Sequence, residues 1–303
     1  MTNKIKIDCP INFLDKKELE MLIANNDFVI SSDPECLIVN PGCDFYYDEK
    51  YFKNFKNLKV VGSPSTGINH LDLKYLSNRN IQAKCLLNDR DSLESITASA
   101  EFTWTHIMNA VRKFNIAANN ISKWRSDENE SYLRSNELCG KTIGIIGLGR
   151  IGRKIAKYAC AFSMNVVFYD PYVSYPRYKK LLNLKKLDKC DIISINCYLT
   201  EETEGLISYD VFDGFKKDLI VVNTSRGEVV NEDYIYDLIT NEKIIYGCDV
   251  LQNEQNISLL KKSKLFNLKS DRLTITPHVA GATKESQTKA LESILRTCKE
   301  CIK

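Results

Sequence analysis

The stretch Lys141-Thr142-Ile143-Gly144-Ile145-Ile146-Gly147-Leu148-Gly149-Arg150-Ile151-Gly152 reads as a buried apolar strand that runs into Gly-x-Gly-x-x-Gly and then into a helix. Each glycine has a separate use in such a turn. Gly147 permits the tight bend, Gly149 lets a pyrophosphate approach the backbone, and Gly152 lets the helix pack closely on the strand. The helix that follows, over about Arg150 to Phe162, offers free N–H groups and the positive end of its dipole to phosphates. A second strand, Asn165 to Asp170, comes next and ends in a carboxylate 18 positions after Gly152, where a ribose-binding acid belongs. Strand, glycines, helix, strand and acid in this order predict a dinucleotide site. Asp170 accepts from a ribose 2′-OH and repels a 2′-phosphate, which favours NAD over NADP.

The chain has 303 residues, enough for two domains that each bury a core. Its 42 Lys and Arg against 39 Asp and Glu leave a net charge of only +3, which gives no pull toward nucleic acid or an anionic membrane. The lysines of Lys179 to Lys189 and Lys261 to Lys264 are broken by carboxylates and apolar residues and read as solvated helix faces. The N-terminal residues lack the apolar core of a signal peptide, and no apolar run approaches the length of a membrane span, so a cytoplasmic protein is expected. The 11 cysteines are scattered, with Cys85, Cys197 and Cys248 placed inside apparent strands, and read as reduced, buried small side chains. Cys298 and Cys301 form a single C-x-x-C with no second pair and no nearby histidine, so no metal site is expected there.

The nucleotide-binding run begins near residue 141, so the first third must form a domain of its own. Short apolar strands at Ile5 to Cys9, Phe28 to Ile30, Cys36 to Val39, Lys59 to Gly62 and Gln82 to Leu86 alternate with helical segments near Lys16 to Asn25, Asp48 to Phe55 and Leu71 to Leu76. That alternation predicts a small doubly wound α/β domain with a parallel sheet. Ala98 to Arg112 reads as a long apolar-rich helix, bridging the domains or forming a dimer interface. Further strands are expected at Ile192 to Cys197, Leu219 to Asn223, Ile244 to Val250 and Leu273 to Thr276, with a helix near Glu232 to Thr240. The last helix, Lys284 to Cys301, is expected to pack back on the first domain. The predicted division is therefore residues 1–97 with 283–303, and residues 98–282, with the site in the cleft between two doubly wound parallel-sheet domains.

Open parallel sheets bind ligands at the carboxyl ends of their strands. Past those ends the sequence puts Arg226, in Val221-Val222-Asn223-Thr224-Ser225-Arg226-Gly227; Asp249 and Glu254, in Cys248-Asp249-Val250-Leu251-Gln252-Asn253-Glu254; and His278, in Thr276-Pro277-His278-Val279-Ala280-Gly281. An arginine binds a carboxylate and polarises a carbonyl through a planar, permanently charged fork. A histidine exchanges a proton near neutral pH, and a carboxylate on its far nitrogen fixes the tautomer and raises its pKa. The trio suits hydride transfer at a 2-oxo acid. Of the other histidines, His106 reads as a packing residue on the long helix and His70 lies beside a loop of the first domain.

Together Gly140 to Gly152, Val222 to Gly227, Asp249-Val250 with Glu254, and Thr276 to Thr283 resemble the D-isomer-specific 2-hydroxyacid dehydrogenases across nearly the whole chain. The resemblance implies a Rossmann NAD domain with a smaller flavodoxin-like substrate domain. It also implies that Arg226 anchors substrate and that Glu254 supports His278 as the acid/base. By the same resemblance Arg150 and Ile151 lie along the pyrophosphate, Thr224 and Asp249 hold the nicotinamide end, and Thr200 and Gly281 join the cofactor contacts. Val61 to Asp72 resembles the family's substrate loop, with backbone N–H groups from Ser65 through Thr66 to Gly67 gripping the substrate carboxylate as an anion nest. A homodimer through the NAD domain is implied as well.

Three departures from the family pattern bear on substrate. Ser63 stands where relatives acting on phosphorylated acids have an arginine, Asn196-Cys197-Tyr198-Leu199-Thr200 replaces His-x-Pro-Leu-Thr, and Leu251-Gln252-Asn253-Glu254-Gln255 replaces Phe-x-x-Glu-Pro. Arg90 reads as a surface residue or a substitute anion contact. The expected function is an NAD-dependent oxidoreductase acting on a small D-2-hydroxy acid or its 2-oxo form. A dinucleotide-sensing corepressor or scaffold of the same fold is the rival, and it would need a docking surface for a partner.

Overall fold

The computed structural model describes residues 2–39, 45–209 and 216–302. It divides into two compact units, one of Met1–Ile96 with Gly281–Lys303 and one of Thr97–Ala280. Among the described residues no helix is long and apolar enough to cross a membrane, and no cluster of side chains is suited to hold a metal ion.

In the first unit β1 (Asn3–Asp8), β2 (Phe28–Ile30), β3 (Cys36–Val39), β4 (Val60–Gly62) and β5 (Gln82–Lys84) form a sheet of order β2-β1-β3-β4-β5, parallel throughout. This is the doubly wound order of flavodoxin-like sheets. Between the strands lie α1 (Lys16–Asn25), α2 (Glu49–Phe52), α3 (Leu73–Asn78) and, after β5, α4 (Arg90–Glu94). Asp15 starts α1 by accepting from the Glu18 amide while Glu18 answers to the Asp15 amide, a reciprocal cap that satisfies two otherwise orphan donors. The central strand β3, Cys-Leu-Ile-Val, is buried on both faces, as a parallel strand covered by helices must be. Arg90 lies exposed at the start of α4.

The second unit opens with α5 (Ala98–Arg112), α6 (Phe114–Ala118) and α7 (Asp127–Leu133). Then come β6 (Thr142–Ile146), α8 (Arg150–Ala161), β7 (Asn165–Tyr169), β8 (Lys179–Lys180), β9 (Ile192–Ile195), β10 (Leu219–Asn223), α9 (Glu232–Thr240), β11 (Ile244–Cys248), α10 (Ile257–Leu260), α11 (Lys264–Asn267) and β12 (Leu273–Ile275). Seven parallel strands pair in the order β12-β11-β10-β9-β6-β7-β8. The order reverses between β6 and β9, which is where an open α/β sheet leaves a crevice for a nucleotide. On α8, Gly152, Ile155, Ala156 and Ala159 form the buried face. The final helix, α12 (Lys284–Glu300), returns to the first unit, where Leu291, Ile294, Leu295 and Cys298 join Ile5, Cys36, Ile38 and Val60 in one core. Gly62 makes this possible: a Cβ there would sit 2.6 Å from Ile294 and 2.7 Å from Cys298.

Several local expectations need correction. The apolar face of α5 packs on β10, β11 and α8 of its own unit. Three exposed apolar side chains follow it, Phe114, Ile121 and Trp124, among others elsewhere on the chain. Lys179 to Lys189 is not one helix: Lys179–Lys180 pairs with β7 as a short edge strand, and Leu184–Lys189 is a 3-10 turn. Two exposed lysines on an edge strand blunt it against further pairing. Lys261 to Lys264 is the turn from α10 into α11. Cys85 and Cys197 lie just beyond strand ends, and only Cys248 of the three named is inside a strand. All ten cysteines among the described residues carry free thiols, Cys298 and Cys301 included.

Candidate active site

The glycine loop follows β6 at the point where the strand order reverses. Gly147 has a left-handed φ of +83°, and a Cβ there would lie 2.8 Å from the Cys197 amide nitrogen at the end of β9. Gly152 is pressed against the loop itself, where a Cβ would come within 2.2 Å of the Gly147 carbonyl oxygen. Gly149 differs: a Cβ there would meet nothing within 4 Å. Its φ of −73° suits any residue, so the missing side chain leaves room beside the helix end and not backbone freedom. Gly149 is the N-cap of α8 and provides no side-chain cap, so Arg150, Ile151 and Gly152 open the helix with amides directed at this space. An open space before an uncapped helix start fits a pyrophosphate.

Asp170, one residue past β7, is buried. Its Oδ2 accepts from the Leu148 amide at 2.8 Å, and its Oδ1 accepts from Tyr172 and Val173 amides at 2.9 and 3.0 Å. The carboxylate therefore ties the end of β7 to the glycine loop, and a carboxylate's remaining acceptor capacity is what a ribose hydroxyl could use. Beyond β9, Thr200 is exposed and begins a turn closed by Thr203, whose hydroxyl accepts from the Thr200 amide at 2.8 Å. The Asn196 carboxamide folds back on Ser194, and burial pushes the Cys197 thiol up to about 11.

Three strand ends supply the polar groups expected to do chemistry. After β10, buried Asn223 shapes the turn by donating to the Arg226 carbonyl at 2.9 Å and accepting from the Ser225 amide and hydroxyl at 3.0 and 2.8 Å. That turn projects Arg226, half-buried, whose Nη1 donates to the Ser225 carbonyl at 2.7 Å. Among the described residues no carboxylate pairs with its guanidinium. Thr224 shares a 2.6 Å hydrogen bond with Thr103 of α5.

After β11 and β12, Glu254 Oε1 accepts from His278 Nδ1 at 2.6 Å, and its Oε2 accepts from the Leu251 amide at 3.3 Å. The Glu254 hydrogen bond raises the His278 pKa above its ordinary 6.5, while burial and the neighbouring Arg226 charge pull the other way. With Nδ1 given to Glu254, the ring turns Nε2 outward as the nitrogen free for a proton exchange. His278 has a left-handed φ of +54°, a region in which histidine is more at home than most residues. Asp249 is buried and fastens this loop: Oδ1 accepts from the Thr276 hydroxyl at 2.5 Å and the Val279 amide at 3.0 Å, and Oδ2 accepts from the Ala280 amide at 2.7 Å. Gly281 follows, exposed, its carbonyl accepting from the Ser286 hydroxyl at 2.6 Å.

In the first unit, the loop after β4 is wired internally. Ser65 donates its amide to the Ser63 carbonyl at 2.8 Å and its hydroxyl to the Gly67 carbonyl at 2.6 Å. The Ser63 hydroxyl, fully buried, lies 3.0 Å from the Ser65 hydroxyl and 3.1 Å from His70 Nε2. Of the three amides expected to grip a carboxylate, Ser65 is thus already engaged. Among the described residues, Thr66 and Gly67 keep theirs without a partner.

Sequence reasoning missed the residues that hold these groups in place. A Cβ on Gly227 would lie 2.0 Å from the Leu251 carbonyl carbon and 2.3 Å from the Gln252 nitrogen, so only glycine lets the Arg226 turn lie against the loop of Glu254. Glu232 steadies that loop from α9, accepting from the Gln252 amide at 2.6 Å and the Ser263 hydroxyl at 2.8 Å, and its burial raises its pKa. The glycine next to Arg226 was the available signal for the first. Nothing in the local pattern marks Glu232.

Residues 104–280 match the family described as D-isomer specific 2-hydroxyacid dehydrogenase, NAD binding domain. A D-3-phosphoglycerate dehydrogenase of Archaeoglobus fulgidus is 32% identical over 249 residues, which is 79% of this chain but 44% of the relative, so the chain spans less than half of that protein's length. A hydroxypyruvate reductase of Thermotoga maritima is 28% identical over 309 residues, covering 99% of this chain and 93% of the relative. Among solved structures, a D-lactate dehydrogenase of Treponema pallidum superposes with a TM-score of 0.82 at 18% identity, covering 99% of this chain and 96% of that one, a likeness of fold. With the family match spanning more than half of the chain, on a parallel sheet whose glycine loop leaves room for a pyrophosphate, the chain belongs to the D-isomer-specific 2-hydroxyacid dehydrogenase family, and its cofactor is NAD.

Proposed function

We propose that the protein moves a hydride between NAD and C2 of a small, unphosphorylated D-2-hydroxy acid or its 2-oxo form. The observation that carries this reading is the 2.6 Å Glu254–His278 pair with Arg226 close enough to lower the histidine's pKa and free of a carboxylate partner among the described residues. Arg226 anchors the substrate and polarises its C2 carbonyl. Thr66 and Gly67 amides take the carboxylate. His278, protonated, gives its Nε2 proton to the carbonyl oxygen in reduction and recovers it in oxidation, and Glu254 stabilises the imidazolium that this cycle requires. NAD, when bound along Gly147, Gly149, Arg150, Ile151 and Gly152 with its ribose at Asp170, supplies or accepts the hydride. Thr200, Thr224, Asp249 and Gly281 complete its surroundings in this reading. Ser63, where a phosphate-binding arginine would stand, is buried and bonded to its own loop, which favours an acid without a phosphate.

The apolar side chains at Phe114, Ile121 and Trp124, exposed by 68%, 66% and 78%, support pairing of two NAD domains in a homodimer. The free thiols fit a reducing cytoplasm. A panel of glyoxylate, hydroxypyruvate, pyruvate, branched 2-oxo acids and a phosphorylated acid, each with NADH, tests the activity. Turnover of at least one unphosphorylated acid is expected. In His278→Asn, kcat should fall by at least about 100-fold, the lower end of the usual contribution of general acid–base catalysis, with NADH affinity near wild type. Tight NADH binding with no turnover across the panel would replace the enzyme reading with a dinucleotide sensor.

A further inference from the structure

His106 lies in the middle of α5 and is buried, and neither its sequence position nor the proposed chemistry gives it a task. Its Nε2 is 2.9 Å from the Thr276 hydroxyl oxygen, which is itself 2.5 Å from Asp249 Oδ1. A hydroxyl has one proton, and the short contact to the carboxylate consumes it. Thr276 must then accept from His106, so the ring carries its proton on Nε2. Nδ1 is left bare, and among the described residues it is one of three buried side-chain polar atoms, with Trp104 Nε1 and Arg272 Nη1, that lack a hydrogen-bond partner. Burial holds the pKa of His106 below the ordinary value, consistent with a neutral ring that keeps this single tautomer. Gly247 of β11 makes the space: a Cβ there would come within 3.0 Å of Nδ1. One helical turn on, Asn109 donates to the Thr274 hydroxyl at 3.1 Å, so α5 is stitched to β12 and its end at two alternate residues.

We infer that His106 is a positioning residue: through Thr276 and Asp249 it orders the loop that presents His278. The directed chain His106 Nε2–H to Thr276 Oγ–H to Asp249 Oδ1 leaves the rest of that carboxylate to grip the Val279 and Ala280 amides. His278 is thus held from both sides by one buried anion, and the anion is oriented from α5. A leucine at position 106 would fill the same space while leaving Thr276 free to turn. The kinetic part of the test rests on the dehydrogenase reading above, and the exchange part does not.

Three proteins are compared: wild type, His106→Leu and His106→Gln, the last able to bring a carboxamide N–H near the place of imidazole Nε2. Amide hydrogen exchange at Val279 and Ala280 is read by NMR without ligand, and kcat with the best acid of the panel. In His106→Leu, exchange at both amides should quicken about tenfold and kcat should drop about tenfold, the scale of one ordinary hydrogen bond. His106→Gln should recover most of both. Unchanged exchange or unchanged kcat in His106→Leu overturns the inference, as does a glutamine variant no better than leucine. Should the leucine variant not fold, ring-nitrogen NMR of the wild type decides, with a protonated Nε2 and a bare Nδ1 expected near neutral pH and the opposite tautomer overturning the chain. Loosened amides in a protein whose wild type reduces no 2-oxo acid would sink the dehydrogenase reading and leave the wiring intact.

Discussion

Gly227→Ala puts one methyl group where the backbone of Leu251 and Gln252 already lies. The added carbon would sit 2.0 Å from the Leu251 carbonyl carbon, while an ordinary contact begins at 3.4 Å, so the two segments must part by about 1.4 Å. Every atom it meets at close range is backbone, which cannot rotate away as a side chain would. The Leu251 amide also anchors Glu254, so the displacement passes directly to the partner of His278. Overpacking of this kind costs about 1–3 kcal/mol in stability. At roughly 2–4 °C per kcal/mol for a unit of this size, Tm should fall measurably without loss of the fold. Displacing catalytic groups by about 1 Å costs on the order of 100-fold in rate, and a loss of that size is expected in kcat. NADH affinity should fall less than kcat, because the glycine loop and Asp170 follow other strands and only Thr224 and Asp249 adjoin the displaced segments. Steady-state kinetics, NADH fluorescence titration and thermal unfolding read the three quantities. A variant with kcat within about threefold of wild type and an unchanged Tm would refute the claim that this backbone contact sets the register of Arg226 and Glu254.

Gly149→Ala is the counterpart: the new methyl meets no protein atom within 4 Å, so Tm should hold while NADH affinity drops at least about fivefold, a one-methyl clash being worth about 1–3 kcal/mol. Wild-type NADH binding in that variant would exclude the space from the pyrophosphate site. Glu254→Gln removes the group that raises the His278 pKa, so the alkaline limb of 2-oxo acid reduction should move to lower pH, as a pH profile of kcat/KM would reveal. The linked stability has a defined sign, since a raised histidine pKa stabilises the fold in full below the ordinary 6.5 and loses that contribution as pH rises through the raised value. The Tm gap between wild type and Glu254→Gln should therefore narrow with rising pH, and a widening gap contradicts the pairing. Asp170→Ser should raise the NADP/NAD preference and lower stability by about 1–3 kcal/mol, because the buried Leu148 amide loses its acceptor, as do the less buried Tyr172 and Val173 amides; an unchanged cofactor ratio removes Asp170 from the ribose site.

The glycine run was legible because each glycine answers a local demand, a left-handed turn, an open space or a close helix, that no other residue meets. The span of α5 was equally legible, for its apolar spacing is helical and it stops at Lys113, which takes a left-handed φ of +51°. Its role was not, since apolar spacing cannot say which surface the buried face meets. Lys179–Lys180 escaped because an edge strand of two exposed residues has no alternation to display. The apolar pattern of β5 and β9 runs two residues past the strand ends, as Leu86 and Cys197 are apolar enough to continue a strand but belong to the turns beyond. Glu254 and His278 could be paired from strand-end positions, because parallel strands deliver their loops to one edge. Thr276, Glu232 and Gly227 act through contacts 20 or more residues away in sequence, and pattern reading has no access to those.

The return of α12 to the first unit also sets an order of events during synthesis. The sheet of β1 to β5 lacks Leu291, Ile294, Leu295 and Cys298 until they have been made, so one of its apolar faces waits while the ribosome translates the whole second unit. At ordinary elongation rates the intervening stretch of about 190 residues takes roughly 10–40 s, far longer than most small domains need to fold. The second unit, contiguous in the chain, can fold on emergence. The first unit is a nascent-chain liability whose exposure time is set by translation speed, and slowing codons between residues 97 and 283 would lengthen the chaperone's watch over it.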